Sequence, residues 1–358
     1  MSNIVIIGNG IPAISAIETI RAEDQGSPIT LLCPEGILPY DRTLLAAHLA
    51  KEVKEQGLHP KHASFFKEHG VDIVLNEQLS RVSTKRKYVG AESKRQFPYD
   101  RLLVTDLGAV HGPDIKGRGK EGIFDCAHYK SMEALAKHIP FIDNAVVCVS
   151  NFLGLNTACA LKMLGKEVSV VSPAVGGGIL PDVFDEETTM LLKQILEGKG
   201  LKVMAGNAVE EILGDGEVKA VRLKSGKVIA AQAVIFDDLK ADTRVFSDGM
   251  PDGVDMAAVD QPSTGVRDFG LKVINGTCAG VVRRAPQGGR EYMQFDGPDN
   301  VYKKIFIQDG HIVGFVLFNA AFAKEKLLRD LLEGKEVAQT QEQLFSEYFS
   351  AVGGSASG

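Results

Sequence analysis

Short unbroken apolar runs alternate along much of this chain with longer stretches whose apolar residues recur at helical spacing. The runs IVII at Ile4–Ile7 and ITLLC at Ile29–Cys33 are too short for helices and rich in β-branched residues, so they predict buried strands. Between them IPAISAIETIRAE gathers Ile and Ala on one helical face behind a glycine turn. Strand, helix and strand make a βαβ unit, and the same grammar returns from Asn144. There the pattern predicts a strand Ala145–Val149, a helix from about Leu153 to Leu164 ended by Gly165, and a strand Glu167–Val171. After this internal repeat, EETTMLLKQILEGKGLKV predicts an amphipathic helix closed by glycine. GDGEVKAVRLKSGKVIAAQAVIF then predicts strands turning at Asp215-Gly216 and Ser225-Gly226. A third block starts near Arg290, where VYKKIFIQDGHIVGFVLF reads as a hairpin turning at Asp309-Gly310. The helix AAFAKEKLLRDLLEG, with Lys and Glu on its wet face, and a flexible tail GGSASG follow.

A length of 358 residues exceeds one ordinary core and predicts two or three domains, and 44% hydrophobic with 24% charged residues marks a globular chain. The formal net charge of −6 carries no electrostatic footprint for nucleic acid, and the KRK at Lys85–Lys87 reads as a solvated strand end. No apolar run reaches the roughly 18 to 20 residues that span a bilayer, so no membrane span is expected. The start MSNIVIIGNG enters a glycine turn without a signal-peptide pattern, and a cytoplasmic location is expected. The five cysteines are scattered and form no CxxC, which argues against a disulfide framework and a zinc or iron–sulfur site. Of the eight histidines, His59 and His62 in HPKH have a helical spacing but no third ligand at a recognisable interval, so no metal site is expected.

The first βαβ unit carries candidate chemistry. Gly8, Gly10 and Ala13 fit the GxGxxG/A fingerprint, in which the first glycine makes a tight turn, the second lets a pyrophosphate reach the backbone and the third position stays small for helix–strand packing. A phosphate there would meet the unpaired amides and positive dipole end of the helix, and Pro12 costs no hydrogen bond in a first turn. Glu35 follows the second strand, where a carboxylate can accept ribose hydroxyls.

Several segments, in order, resemble the FAD-dependent pyridine nucleotide oxidoreductases, above all the rubredoxin reductases, ferredoxin reductases and the flavin portion of assimilatory nitrite reductases. They are VIIGNGIPA; LPYDRTLL at Leu38–Leu45; YDRLLVTDLGA at Tyr99–Ala109; the second βαβ with FLGLNTACAL; VINGTCA at Val273–Ala279, which resembles the family's YAAGDxA; and YKKIFIQDGHIVGFVLF. The resemblance implies an α/β fold with two Rossmann-like domains, for FAD and NAD(P), one inserted in the other, plus a small α+β C-terminal domain. It places the FAD domain at 1–112 and 240–288, the NAD(P)-type domain at 113–239 and an interface domain at 289–350. FAD would contact Gly8, Gly10, Ala13, Glu35, Arg42, the backbone near Leu79, and the segments around Gly108 and Gly276 with Thr277. Arg42 offers fixed charge and several donors to a pyrophosphate or flavin; its plainer reading is a surface ion pair with Asp41 or a neighbour.

The chain departs from the family pattern at named positions. The family's ATG is Thr105-Asp106-Leu107-Gly108, and the Asp of its GD pair is Thr277. In the second site the first two motif glycines are Val149 and Asn151, and only Gly154 survives. Valine does not readily take a positive φ, and its branched Cβ crowds a pyrophosphate. The acid expected after the second strand is Ser172, the family's Glu near the nicotinamide is Asn156, and a glycine expected after Ile235 is replaced within Phe236-Asp237-Asp238. Together these losses predict that NAD(P)H does not bind there and that the second βαβ is a retained scaffold. The family's redox cysteines would fall on AAHLAKEV, so thiol chemistry is not expected, and Cys33 reads as a strand-end core thiol.

Three functions follow from this reading. The first is an FAD-binding electron-transfer subunit that passes electrons to or from a metal or iron–sulfur protein partner, with no catalytic residue of its own. The second is an NAD(P)H-dependent rubredoxin- or ferredoxin-type reductase. The third is a cofactor-free pseudo-reductase that serves as a scaffold. The resemblance also implies that the C-terminal domain can serve as an interface for association with itself or with another chain.

Overall fold

The computed structural model describes residues 2–105, 110–111, 114–173, 178–181, 184–237, 240–241, 266–272, 277–283, 289–296, 301–337 and 340–349, with the backbone alone at 110–111, 240–241, 266–272, 277–283 and 321. The chain divides into two units, Met1–Gly177 with Leu201–Asp260, and Gly178–Gly200 with Gln261–Gly358.

The first unit holds both βαβ repeats. Strand β1 (Ile4–Ile7), helix α1 (Ile11–Glu23), β2 (Ile29–Cys33), β3 (Val71–Leu75) and β4 (Arg101–Val104) build a parallel sheet in the order β3-β2-β1-β4, with Ile4 opposite both Ile29 and Arg101. The alternation of side chains along a strand sorts β1 into two cores. Ile4 and Ile6 pack with Ile14, Ile17 and Ile20 of α1, while Val5 and Ile7 pack with Val82, Val89 and Phe97 of the antiparallel meander Leu79–Ser83, Tyr88–Ala91, Gln96–Pro98. Each such side chain contributes about 1.5–3 kcal/mol on burial, which explains why IVII is apolar throughout.

The second sheet contains β5 (Ile123–Asp125), β6 (Asn144–Cys148), β7 (Glu167–Ser172), β8 (Lys202–Ala205) and β9 (Ala233–Phe236) in the parallel order β8-β7-β6-β9-β5. Helix α2 (Tyr129–His138) follows β5, and α3 (Phe152–Met163) joins β6 to β7 as the repeat predicts. A second meander, Val209–Leu213, Ala220–Leu223 and Val228–Ala230, covers Val146, Val171 and Val234.

The second unit is built on an antiparallel sheet of β10 (Val266–Lys272), β11 (Thr277–Arg283), β12 (Arg290–Asp296), β13 (Val301–Gln308) and β14 (His311–Phe318), ordered β10-β11-β14-β13-β12. The hairpin expected at Asp309-Gly310 is present, with φ of 51° and 81° at the two residues, as a primed turn requires. One face, with Ile305, Ile307, Phe315 and Leu317, is buried under Leu327 and Leu331 of α5 (Lys324–Leu332) and Leu344 and Phe345 of α6 (Gln341–Phe349). From β13, Tyr302 meets Thr188 at 3.1 Å, and Lys304 meets Asp185 at 2.6 Å, Glu291 at 3.0 Å and Glu187 at 3.6 Å. These contacts fasten the start of α4 (Glu186–Gly198), which in chain order lies between β7 and β8, to the C-terminal sheet.

The structure differs from the sequence expectation at 266–283. The resemblance assigned this stretch to the FAD domain, but β10 and β11 are a hairpin hydrogen-bonded to β14, with Lys272 opposite Thr277 and Cys278 opposite Phe318. Antiparallel pairing satisfies the backbone of both strands locally, and the register continues from Val266 opposite Arg283 to Lys272 opposite Thr277. Thr277 therefore opens a strand of the C-terminal sheet, while Gly276, Gly108 and Asp106 lie outside the described residues.

Candidate nucleotide sites at two strand–helix junctions

At the first junction β1 ends in Gly8, whose φ of 144° is favourable only for glycine. Gly10 is the N-cap of α1 with Pro12 in the first turn, and Ala13 is fully buried in the strand–helix core. A Cβ on Gly10 would lie 3.7 Å from Arg42 Nη2, so a guanidinium stands beside the amide end of α1. Asp41 directs its carboxylate at Thr43, accepting from the amide at 2.9 Å and the hydroxyl at 2.6 Å. Asn9, an unconstrained position of the fingerprint, proves structural. Its Nδ2 donates to the Ile37 carbonyl at 2.7 Å, its Oδ1 accepts from the Glu35 amide at 3.2 Å, and its carbonyl accepts from the Tyr40 amide at 2.8 Å. No local sequence pattern marks this stitch between the glycine turn and the loop after β2.

Glu35 is buried and its carboxylate accepts from the Tyr40 hydroxyl and from the amide of Tyr129. Leu79 opens the first meander, half-buried against the Val82 and Val89 core. Burial, with the Glu35 carboxylate adding to it, pushes the Cys33 thiol up to about 12, so Cys33 is a core thiol as its position at the strand end suggests.

At the second junction an aspartate meets the start of the helix. Asp237, 3% exposed at the end of β9, places its carboxylate at the start of α3. It accepts from the Ser150 amide at 2.8 and 2.9 Å, from the Ser150 hydroxyl at 2.7 Å and from the Asn151 amide at 2.8 Å, and its carbonyl accepts from Asn151 Nδ2 at 2.9 Å. Asn151 caps α3 through the Leu153 amide at 2.8 Å. A Cβ on Gly154 would stand 2.3 Å from Asp237 Oδ2, so the surviving motif glycine leaves room for this carboxylate. Val149 is fully buried and Ser172 nearly so. Amides at a helix N-terminus and a hydroxyl around an anion are the chemistry by which nucleotide folds hold phosphate. Here the anion belongs to the protein. In the sequence Asp237 reads only as a lost glycine, since its partners lie 86 and 87 residues away in the chain.

Burial, followed by the charges of Asp237 and Asp125, raises the Cys126 thiol well above its usual range, and burial does the same to Cys148 and Cys159. Among the described residues no group of three or more His, Cys, Asp or Glu is placed to hold a metal, and no helix is long and apolar enough to cross a membrane.

Two parallel nucleotide-type sheets, each with a strand–turn–helix junction, and an antiparallel C-terminal sheet are the build of a two-nucleotide reductase. The chain belongs to the family described as pyridine nucleotide-disulphide oxidoreductase, whose profile matches residues 2–251. The assimilatory nitrate reductase electron transfer subunit of Bacillus subtilis (strain 168) is 23% identical, covering 95% of this chain and 50% of its own length. The rubredoxin-NAD(+) reductase of Pseudomonas putida is 26% identical over 65% of this chain and 60% of its own length. The chain thus spans about half the length of the Bacillus relative. Its alignment with that relative runs over 405 positions, more than the 358 residues present, so the relative carries segments without a counterpart here. The crystal structure of the covalent putidaredoxin reductase–putidaredoxin complex superposes with a TM-score of 0.78 at 14% identity, covering 98% of this chain and 99% of that one. A ferredoxin reductase from Rhodopseudomonas palustris gives 0.76 at 17% identity, covering 96% of each. These two likenesses establish the fold.

Proposed function

We propose that this chain is an FAD-binding electron-transfer subunit that exchanges electrons with a protein redox partner and does not take NAD(P)H directly. The observation that carries the proposal is the Asp237 carboxylate on the Ser150 and Asn151 amides, where a dinucleotide would need its phosphate. A second anion against a buried carboxylate is repelled, and no donor is left for it at those amides.

The first site fits the diphosphate half of FAD. Gly10 allows close approach at the helix N-terminus, the adjoining Arg42 supplies a fixed positive charge, and Ala13 keeps α1 tight against β1. When bound, the flavin supplies the one- and two-electron chemistry, and the protein contributes binding, orientation and electrostatics. The partner is a metal or iron–sulfur protein, in keeping with the electron-transfer, rubredoxin and putidaredoxin names among the relatives and neighbours. The relatives named as NAD(+) reductases support direct reduction by nicotinamide, and Asp237 is the observation against it in this chain.

The visible spectrum of the purified protein, with the chromophore identified after heat release, tests the reading. A flavin spectrum with FAD released is expected. A colourless protein that takes up no added FAD overturns it in favour of the cofactor-free scaffold, a reading favoured by the pairing of β10 and β11 into the C-terminal sheet.

A further inference from the structure

Glu35 stands where a βαβ nucleotide fold offers an acid to a ribose, yet its carboxylate is only 4% exposed and is held by donors from its own chain. The Tyr40 hydroxyl lies 2.9 and 3.0 Å from its two oxygens, and the backbone N–H of Tyr129 lies 2.8 Å from Oε2. Tyr129 is the first residue of α2, and the N-cap residue, His128, makes no side-chain cap. The amides of Ala127 and His128 go to Asp125 Oδ1, at 3.2 and 2.9 Å. The Tyr129 amide is one of those a helix start leaves without an intrahelical acceptor, and the acceptor it finds is 94 residues earlier in the chain.

The surroundings extend this fastening. The Tyr40 hydroxyl also lies 3.2 Å from the Ala127 carbonyl and 3.1 Å from the Tyr129 amide. Burial, reinforced by the Glu35 charge, holds the Tyr40 phenol well above its usual pKa, so it remains a donor. Lys130 Nζ reaches Asn76 Oδ1 at 2.8 Å, and the Asn76 amide donates to the Cys33 carbonyl at 2.9 Å. The Tyr129 ring stacks on His48 and meets Tyr40 edge-on, each at 6.2 Å. The start of α2 is therefore docked on the first βαβ fold at its ribose acid.

We infer that Glu35 is a positioning residue committed to capping α2, so that the first site selects its ligand by the diphosphate beside Arg42 and not by the ribose. The ligand half of this inference rests on the FAD reading; the capping half does not. Two measurements on the full chain test them separately. The first is calorimetric binding of ADP and 2′,3′-dideoxy-ADP to flavin-free protein. Their dissociation constants should agree within about twofold, whereas hydroxyls donating to a carboxylate would make dideoxy-ADP bind at least tenfold more weakly, on the order expected of charged hydrogen bonds. Arg42→Ala should weaken both ligands.

The second is amide hydrogen exchange over 125–138. Glu35→Ala should speed exchange there at least tenfold and leave α1 unchanged, with a smaller effect from Glu35→Gln, which keeps one acceptor, and from Tyr40→Phe. Unchanged exchange in all three variants, or a tenfold loss of ADP affinity in Glu35→Gln, overturns the inference. If wild-type protein binds no ADP, the FAD reading fails on its own, and the exchange experiment still decides what Glu35 does.

Discussion

Replacing Asp237 by alanine removes the acceptor of two backbone amides and one hydroxyl at the start of α3. Each hydrogen bond to a charged group is worth about 1.5–3 kcal/mol net, which taken together would exceed 4 kcal/mol. Ser150 is exposed, so water re-enters and serves the freed amides. The charge at the helix N-terminus adds less than about 1 kcal/mol. A loss of about 2–4 kcal/mol remains, or a urea midpoint lower by about 1 M for a slope of roughly 2–3 kcal/mol per M. Circular dichroism follows the transition. The decisive arm adds pyrophosphate. If the carboxylate stands in for phosphate, the emptied cradle should bind it, and a concentration ten times the dissociation constant should restore about 1.4 kcal/mol in Asp237→Ala alone. The reasoning is refuted if the variant unfolds at the wild-type midpoint, or if pyrophosphate stabilises both proteins equally.

Gly154→Ala should cost about 2–3 kcal/mol because its Cβ would meet Asp237 Oδ2 at 2.3 Å, and in an Asp237→Ala background that cost should largely vanish, as a double-mutant cycle of urea midpoints will show. Burial raises the Asp185 carboxyl, but Lys304 and the Thr188 amide outweigh it and hold the group below its ordinary value. Its stabilisation is therefore complete above the unfolded value near 4 and is lost as pH falls through the lower folded value. Lys304→Met should flatten that acid limb and cost about 1–2 kcal/mol at pH 7, after allowing for the partial exposure of its partners, as urea midpoints from pH 7 to 2.5 report. Thiol titration of the native protein at pH 8 should find the buried Cys33, Cys126 and Cys159 unreactive and return at most two fast equivalents, whereas three or more would contradict their burial.

The repeated βαβ grammar was legible because each element is local. The predicted helix Leu153–Leu164 is found at Phe152–Met163, and the predicted strand Glu167–Val171 at Glu167–Ser172. The replacement of two motif glycines by Val149 and Asn151 was legible too, since it is a matter of residue types alone. The carboxylate that meets the Ser150 and Asn151 amides was not, because the Asp237–Ser150 contact exists only once β9 lies beside β6. Glu35 shows the same limit, for a sequence can mark an acid at a strand end without revealing that Tyr40 and Tyr129 reach it first. The placement of 266–283 was not legible, because it rests on the pairing of β11 with β14, where Cys278 lies opposite the sequence-distant Phe318. The helix Glu186–Gly198 was predicted, but its attachment to the C-terminal sheet depends on Lys304, which in sequence reads as a surface charge.

The most direct test of the central claim is an anaerobic titration of the FAD-loaded protein with NADH and NADPH, followed at the flavin absorption near 450 nm, with dithionite as the reference reductant. Full bleaching by dithionite and none by either nicotinamide at millimolar concentration within minutes is expected. Rapid stoichiometric bleaching by NADH or NADPH would contradict the claim, because it would mean that a nicotinamide reaches the flavin despite Asp237.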